Sequence, residues 1–263
     1  MQLQSQDDVD QNLEVCRRLV GSARRDGAKL VLLPENFAYF GDDAGKQSNV
    51  ERLSSPDGKI QRALADLART AEVFLVAGGF PQASNDPAKP FNTALVYGPD
   101  GRLVCSYSKI HLFDVALRDG SVLSESAATT AGDSLVTFDV GGFRIGLSIC
   151  YDLRFPELYR GLVARGANVL LVPAAFTAHT VKDHWHPLLR ARAIESQAFV
   201  VAAAQWGKHP LGRTTYGHSL VVDPWGTIVA EASDKVGVVT ATLELDYLEQ
   251  VRAAVPCLAH RKL

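Results

Sequence analysis

The chain has 263 residues, of which 47% are hydrophobic and 21% charged, with a formal net charge of −2. That composition suits one large globular domain, and a near-neutral balance without a long basic run argues against nucleic acid or a membrane surface as partner. No stretch approaches the roughly 18 consecutive apolar residues that a membrane span requires, the start is polar, and the four cysteines (Cys16, Cys105, Cys150, Cys257) form no Cys-x-x-Cys pair. No metal or cofactor is expected from such spacing, and few cysteines in a large domain fit a reducing cytoplasm.

Taken in order, Leu13, Cys16, Val20 and Ala23 recur at helical spacing and Gly27 follows as a stop. Cys16 on that apolar face reads as core. Residues 29–33 are a short apolar strand running into Pro34 and Glu35. Ile60, Leu64, Leu67 and Ala71 mark a second amphipathic helix, and residues 73–77 a buried strand. A hairpin follows: residues 92–97, the turn Gly98-Pro99-Asp100-Gly101, and residues 102–107. Lys109 stands just beyond it, and residues 110–134 read as a long irregular loop, a feature more often functional than idle.

The apolar run ending at Cys150 meets Pro156 and Glu157, which suit the first turn of a helix. Cys150 therefore sits on a strand-to-helix elbow, a way of displaying a nucleophile at the end of a sheet. The second half then repeats the first. Residues 169–173 echo 31–34, each closed by proline; a helix over 182–197 precedes a strand over 199–203; and the hairpin 219–229 matches 94–104 nearly position for position. Two strand–helix–strand–hairpin units predict two sheets packed face to face with helices outside, an α-β-β-α sandwich. Ala174 stands where the first half has Glu35, so a single active site is expected.

Glu35, Lys109 and Cys150 all lie at or beyond strand ends, where ligand sites of α/β folds collect. A free thiol, with a pKa of about 8.5, holds little thiolate at neutral pH. An ammonium beside it favours the thiolate, a carboxylate can take its proton and later activate water, and the ammonium can stabilise an oxyanion. Each residue alone is more often a plain surface or helix-entry charge, or a buried small hydrophobe.

These residues and their flanks resemble the nitrilase superfamily of carbon–nitrogen hydrolases. The matching stretches are Leu32-Leu33-Pro34-Glu35-Asn36, Tyr107-Ser108-Lys109-Ile110-His111-Leu112, Ser148–Glu157, Leu189–Glu195, Tyr216-Gly217-His218-Ser219 and Val222–Gly226. They span nearly the whole chain, residues 1–263, as one domain. The resemblance implies a Glu-Lys-Cys triad with Glu35 as general base, Lys109 as oxyanion stabiliser and Cys150 as nucleophile. It adds Glu125 as a second glutamate orienting the lysine or substrate. It implies the α-β-β-α fold, a small-molecule amide substrate and pairing into a homodimer, expected through the helix carrying Leu158, Tyr159 and Leu162. Members open with an apolar strand that is largely missing from Met1-Gln2-Leu3-Gln4.

Residues 200–209 with Tyr216–Ser219 resemble the branch acting on deaminated glutathione more than the ω-amidases that act on α-keto acid amides. Residues 180–185 depart from that branch's pattern. Arg154 is expected either to clamp a substrate carboxylate or to pair with Asp152 or Glu157. Tyr151, Phe176 and Thr177 are expected near the pocket mouth, and Trp185 and Trp225 in the core. His111 and His218 raise a cysteine–histidine protease alternative without a protease-type local motif. A scaffold protein with an idle site is the alternative from another class, to be separated from an enzyme by a depressed Cys150 pKa.

Overall fold

A computed structural model describes residues 1–55, 58–116, 122–178 and 183–262. Helix α1 (Val9–Arg25) starts where the Asp8 carboxylate accepts from the Gln11 amide, and its apolar stripe, including Cys16, is buried. Strand β1 (Leu30–Leu33) follows, then short α2 (Asp43–Ser48), α3 (Lys59–Ala71), β2 (Phe74–Gln82) and the hairpin β3 (Phe91–Tyr97)/β4 (Leu103–Ser108). The four strands form one sheet in the order β1-β2-β3-β4, parallel at β1/β2 and antiparallel thereafter.

The expected long loop contains two short paired strands, β5 (Asp114–Ala116) and β6 (Val122–Ser124), so the described residues of 110–134 are only partly irregular. Strands β7 (Thr137–Val140) and β8 (Phe143–Leu147) lead to a 3₁₀ turn over Cys150–Arg154 and then α4 (Pro156–Ala164), with Pro156 at its first position. Strand β9 (Val169–Ala174), α5 (Trp185–Ser196), β10 (Phe199–Ala204), the pair β11 (Trp206–Lys208)/β12 (Thr214–Tyr216), and the hairpin β13 (Leu220–Val222)/β14 (Ile228–Glu231) complete the second unit. Helix α6 (Leu245–Ala254) and a short α7 (Cys257–His260) end it. Residue 182, the expected helix start, and residues 180–182 of the departing stretch lie outside the described residues.

The second sheet runs β14-β13-β10-β9-β8-β7. From β9 onward its pairing repeats the first sheet's senses, with β9/β10 parallel and β10/β13 and β13/β14 antiparallel. The internal repeat therefore holds in topology. It also holds in hydrogen bonding: the Met1 nitrogen donates to Leu32 O at 3.0 Å as Ser148 N donates to Leu171 O at 3.2 Å. Leu3 bridges Gln205, and Met1 and Leu3 are buried.

One expectation is corrected at the second strand. Pro173 does not close β9; the strand runs through it to Ala174, opposite Ala203 and Ala204 of β10. Leu171 accepts from the β8 side, and alternation turns Pro173 the same way. Strand β8 ends at Leu147, so the N–H that proline lacks is not needed there.

Helices α1 and α3 cover the outer face of the first sheet, α4 and α5 that of the second, and β1 and β2 face β9 and β10. This is the α-β-β-α sandwich. The sheets meet closely at Gly78: a Cβ there would lie 2.1 Å from Pro173 Cβ, so glycine is required for the approach. Leu158, Tyr159 and Leu162 of α4, the helix through which pairing is expected, are buried within the chain. That stripe packs on the strand carrying Gly146, whose absent side chain leaves room for Leu162. Trp225 corrects a second expectation. It is 58% exposed, because it sits on the β13–β14 turn whose backbone Asp223 ties down through the amides of Trp225 and Thr227. Trp185 is buried as expected, its indole N–H donating to His218 O. Among the described residues no helix is long and apolar enough to cross a membrane.

Candidate active site

Glu35 follows β1, Lys109 follows β4, Glu125 opens a 3₁₀ turn after β6, and Cys150 follows β8. The sandwich gathers them at one end of the two sheets. Lys109 is 2% exposed, and its ammonium lies 3.1 Å from Glu35 Oε1 and 2.8 Å from Glu125 Oε2. Burying a charge without partners costs far more than this geometry leaves uncompensated. Each carboxylate has further donors. Glu35 accepts from Asn92 Nδ2 at 2.9 Å and from the Ala175 amide at 3.0 Å; Glu125 accepts from the Phe113 amide at 2.7 Å and from Asn92 Nδ2 at 3.2 Å.

Electrostatics follow from that packing. Burial alone would lower the Lys109 pKa, but Glu35 and Glu125 outweigh it and hold the ammonium well above the ordinary lysine range. Burial likewise would raise Glu125, yet Lys109 and the donated hydrogen bonds keep its carboxyl below the usual glutamate value.

Cys150 departs from expectation. Burial first, and the facing Glu35 carboxylate second, push its thiol well above the ordinary value, with Lys109 opposing them. The lysine was expected to win. It does not, because both glutamates already neutralise it and the thiol has little water around it. Burial and the facing Glu35 carboxylate therefore favour the protonated thiol, so a depressed pKa does not separate an enzyme from a scaffold at this site. A protonated thiol beside a carboxylate is itself a competent nucleophile–base pair.

The elbow is held from beneath. Cys150 has φ +50°, a left-handed conformation rarely adopted by residues with a Cβ. Asp152, fully buried, accepts from the Ile149 amide (2.9 Å), the Tyr107 hydroxyl (2.6 Å) and the His111 amide (3.0 Å), and it meets His111 Nδ1 at 2.7 Å. Gln205, also buried, donates to Glu35 O and exchanges bonds with Ser5. Gly79, at φ +70°, is the floor under Glu35: a Cβ would come within 2.8 Å of Glu35 Cγ and 2.7 Å of Asn92 Oδ1.

The expected pocket residues are brought together in part. The Arg154 guanidinium lies 5.9 Å from the Tyr151 ring centroid and 5.6 Å from that of Phe176, with Nη1 3.3 Å from His184 Nδ1. The expected pairing with Asp152 is not made, since Asp152 serves Tyr107, His111 and Ile149. Thr177 joins through a backbone bridge to Thr215. The histidines of the protease alternative are engaged elsewhere, His111 with Asp152 and stacked on Phe155, and His218 with Glu231. Sequence reasoning missed Asn92, Gln205 and the Ala175 amide, and took Asp152 only as a partner for arginine. The signal for Asn92 was a polar residue at the head of a buried apolar strand.

A four-layer sandwich presenting a buried lysine between two glutamates beside an elbow cysteine defines a carbon–nitrogen hydrolase of the nitrilase superfamily. The chain belongs to that family: the carbon–nitrogen hydrolase family model matches residues 1–253. Among similar proteins is the deaminated glutathione amidase of Synechocystis sp., 44% identical over 99% of this chain and 96% of the relative. Among solved structures, the nitrilase and fragile histidine triad fusion protein NitFhit of C. elegans superposes with a TM-score of 0.92 at 38% identity. The match covers 99% of this chain and 63% of that fusion protein. Saccharomyces cerevisiae Nit3, a member of branch 10 of the superfamily, superposes with a TM-score of 0.88 at 31% identity, over 99% of this chain and 93% of Nit3.

Proposed function

We propose that Cys150, Glu35, Lys109 and Glu125 form a thiol amidase centre acting on deaminated glutathione or a related α-keto acid amide. The observation that carries the reading is the buried Lys109 ammonium fixed between two carboxylates, one of which faces the Cys150 thiol. As Sγ attacks the amide carbon, Glu35 takes the thiol proton, a C–S bond forms and the carbonyl electron pair moves onto oxygen. Two of the Lys109 protons point to Glu35 and Glu125, and the third is available to that oxyanion. Collapse breaks the C–N bond, and the amine leaves with the proton from Glu35. Glu35 then deprotonates water, which attacks the thioester carbon. Cleavage of the C–S bond returns the proton to sulfur and releases the acid. Glu125 positions Lys109 and does not take part in proton transfer.

Arg154, flanked by Tyr151 and Phe176 and near Thr177, holds a substrate carboxylate in this reading. The named substrate rests on the Synechocystis relative. The proposal extends to one domain spanning the chain, working as a cytoplasmic homodimer; four free cysteines suit a reducing compartment. The test compares wild type with Arg154→Ala on deaminated glutathione and on its neutral ester. Losing a charge-assisted contact of about 1.5–3 kcal/mol lowers kcat/KM roughly ten- to a hundredfold for the acid alone. Equal losses on both substrates contradict the role given to Arg154, and no turnover of either by wild type contradicts the substrate.

A further inference from the structure

Outside the amidase centre, the fold brings together three ligand-bearing side chains from separate elements. His186 stands in the first turn of α5, His218 on the turn before β13, and Glu231 at the end of β14. Their ligand atoms all lie within 4.8 Å of one another. Both imidazoles converge on one carboxylate oxygen: His186 Nε2 is 2.8 Å and His218 Nδ1 2.7 Å from Glu231 Oε1. We propose that His186, His218 and Glu231 form a binding site for one divalent transition-metal ion of the zinc class.

Two imidazoles and a carboxylate are a donor set suited to zinc, and a set of three leaves a fourth position for water. With metal–ligand bonds of about 2.0–2.2 Å, tetrahedral ligand atoms stand roughly 3.3 Å apart. The two contacts to Glu231, at 2.8 and 2.7 Å, need to open by about half an ångström, and the two ring nitrogens already stand within 4.8 Å of each other. Metal binding at His218 Nδ1 moves that ring's proton to Nε2, which already points at Asp234 Oδ1 3.5 Å away. A carboxylate behind a ligating imidazole fixes its tautomer and raises its basicity.

The rings are also restrained. Tyr216 stacks on His218 with centroids 4.4 Å apart and meets His186 edge-on at 6.1 Å. His218 is held at φ +55°, and its carbonyl accepts from the Trp185 indole. Strain kept at a non-glycine residue is characteristic of functional positions. The three side chains are 25–31% exposed, so an ion can enter from solvent. The absence of a metal was expected from cysteine spacing; this site uses histidines that lie 32 positions apart and meet only through the fold. A bound ion would pin the start of α5 to the β13–β14 hairpin, beside Trp185 and the Phe176 ring it packs on.

The test is a Co²⁺ titration of the metal-stripped full chain followed by visible absorption, with Zn²⁺ as competitor. Expected are one equivalent, a tetrahedral ligand-field spectrum free of thiolate charge transfer, and displacement by Zn²⁺. His186→Ala and Glu231→Gln should each weaken binding by about tenfold or more, whereas replacing exposed His260 should not. Because a variant can fail for reasons of folding, the ring resonances of His186 and His218 in wild type give a second readout and should shift on adding Zn²⁺. No saturable binding, a thiolate band, unchanged affinity in both variants, or unmoved ring resonances would overturn the proposal.

Discussion

At Cys150 two requirements conflict. The thiol must stand out from the sheet end toward Glu35, and the elbow achieves this at φ +50°, which costs a residue with a Cβ about 1–2 kcal/mol. Cys150→Ala keeps that cost and loses the sulfur, so it should fold like wild type and release no product. Cys150→Gly removes the strain and should melt above Cys150→Ala although equally inactive; a lower melting temperature for glycine would contradict a strained elbow. The thiol itself should titrate late. Burial and Glu35 hold its pKa well above the ordinary value, so the thiolate is scarce at neutral pH and grows as pH rises. Alkylation at Cys150, read by peptide mass in a chain whose exposed Cys257 is replaced by serine, should still be accelerating beyond about pH 9. Glu35→Gln removes a group that disfavours the thiolate, so its Cys150 should alkylate at lower pH while turnover is lost. A wild-type rate that levels off below about pH 7 would show that Lys109 controls the thiol after all.

Among the elements, the site depends on how four strand ends are brought to one place. Lys109 follows β4 and Glu35 follows β1, at opposite edges of the first sheet, and the lysine reaches across to a charge it cannot do without. Lys109→Ala leaves two buried carboxylates facing each other without a cation. Its expected loss of stability, about 3–5 kcal/mol, should appear in denaturant unfolding and separates it from Cys150→Ala, which is inactive but stable. Gly78 tests the packing of the two sheets. Its substitution by valine drives a side chain into Pro173 and should cost about 1–3 kcal/mol or more by overpacking, with activity falling because Glu35 and Ala175 sit one step away. Unchanged stability would mean that the sheets tolerate separation there.

The same elements show what was legible beforehand. The placement of Glu35, Lys109 and Cys150 at one end of the sheets was readable because each stands beside a strand-ending or helix-opening signal and inside a family stretch. The repeat was readable because its hairpins align residue by residue, and it held even an answer that was overlooked. Trp225 aligns with Asp100, a turn-tip residue, and a turn tip is exposed whatever its side chain. Asn92, Gln205 and the Ala175 amide were not readable. Their roles depend on strand register and on the second sheet meeting the first, and local sequence carries neither. The direction of the Cys150 shift was missed for a related reason: the family resemblance names both carboxylates, but the depth at which the thiol is buried and the closeness with which Glu35 and Glu125 hold the lysine come from the packing of the two sheets.

For the whole molecule, the apolar stripe of α4 is spent on the chain's own core, so the proposed homodimer needs other surface, and the outward faces of α4 and α5, where Ile194 is 48% exposed, offer it. Light scattering of the full chain is expected to give twice the monomer mass, with Ile194→Asp shifting it toward the monomer; a fully active monomer would contradict pairing as a condition of activity. The central claim is that turnover passes through a thioester on Cys150. Rapid quenching of wild type with a slowly hydrolysed amide, followed by peptide mass analysis, tests it most directly. The account predicts the mass of the acyl group on the peptide containing Cys150, absent when Cys150 is alanine. An adduct on Cys16, Cys105 or Cys257, or product release by Cys150→Ala at the wild-type rate, would contradict it.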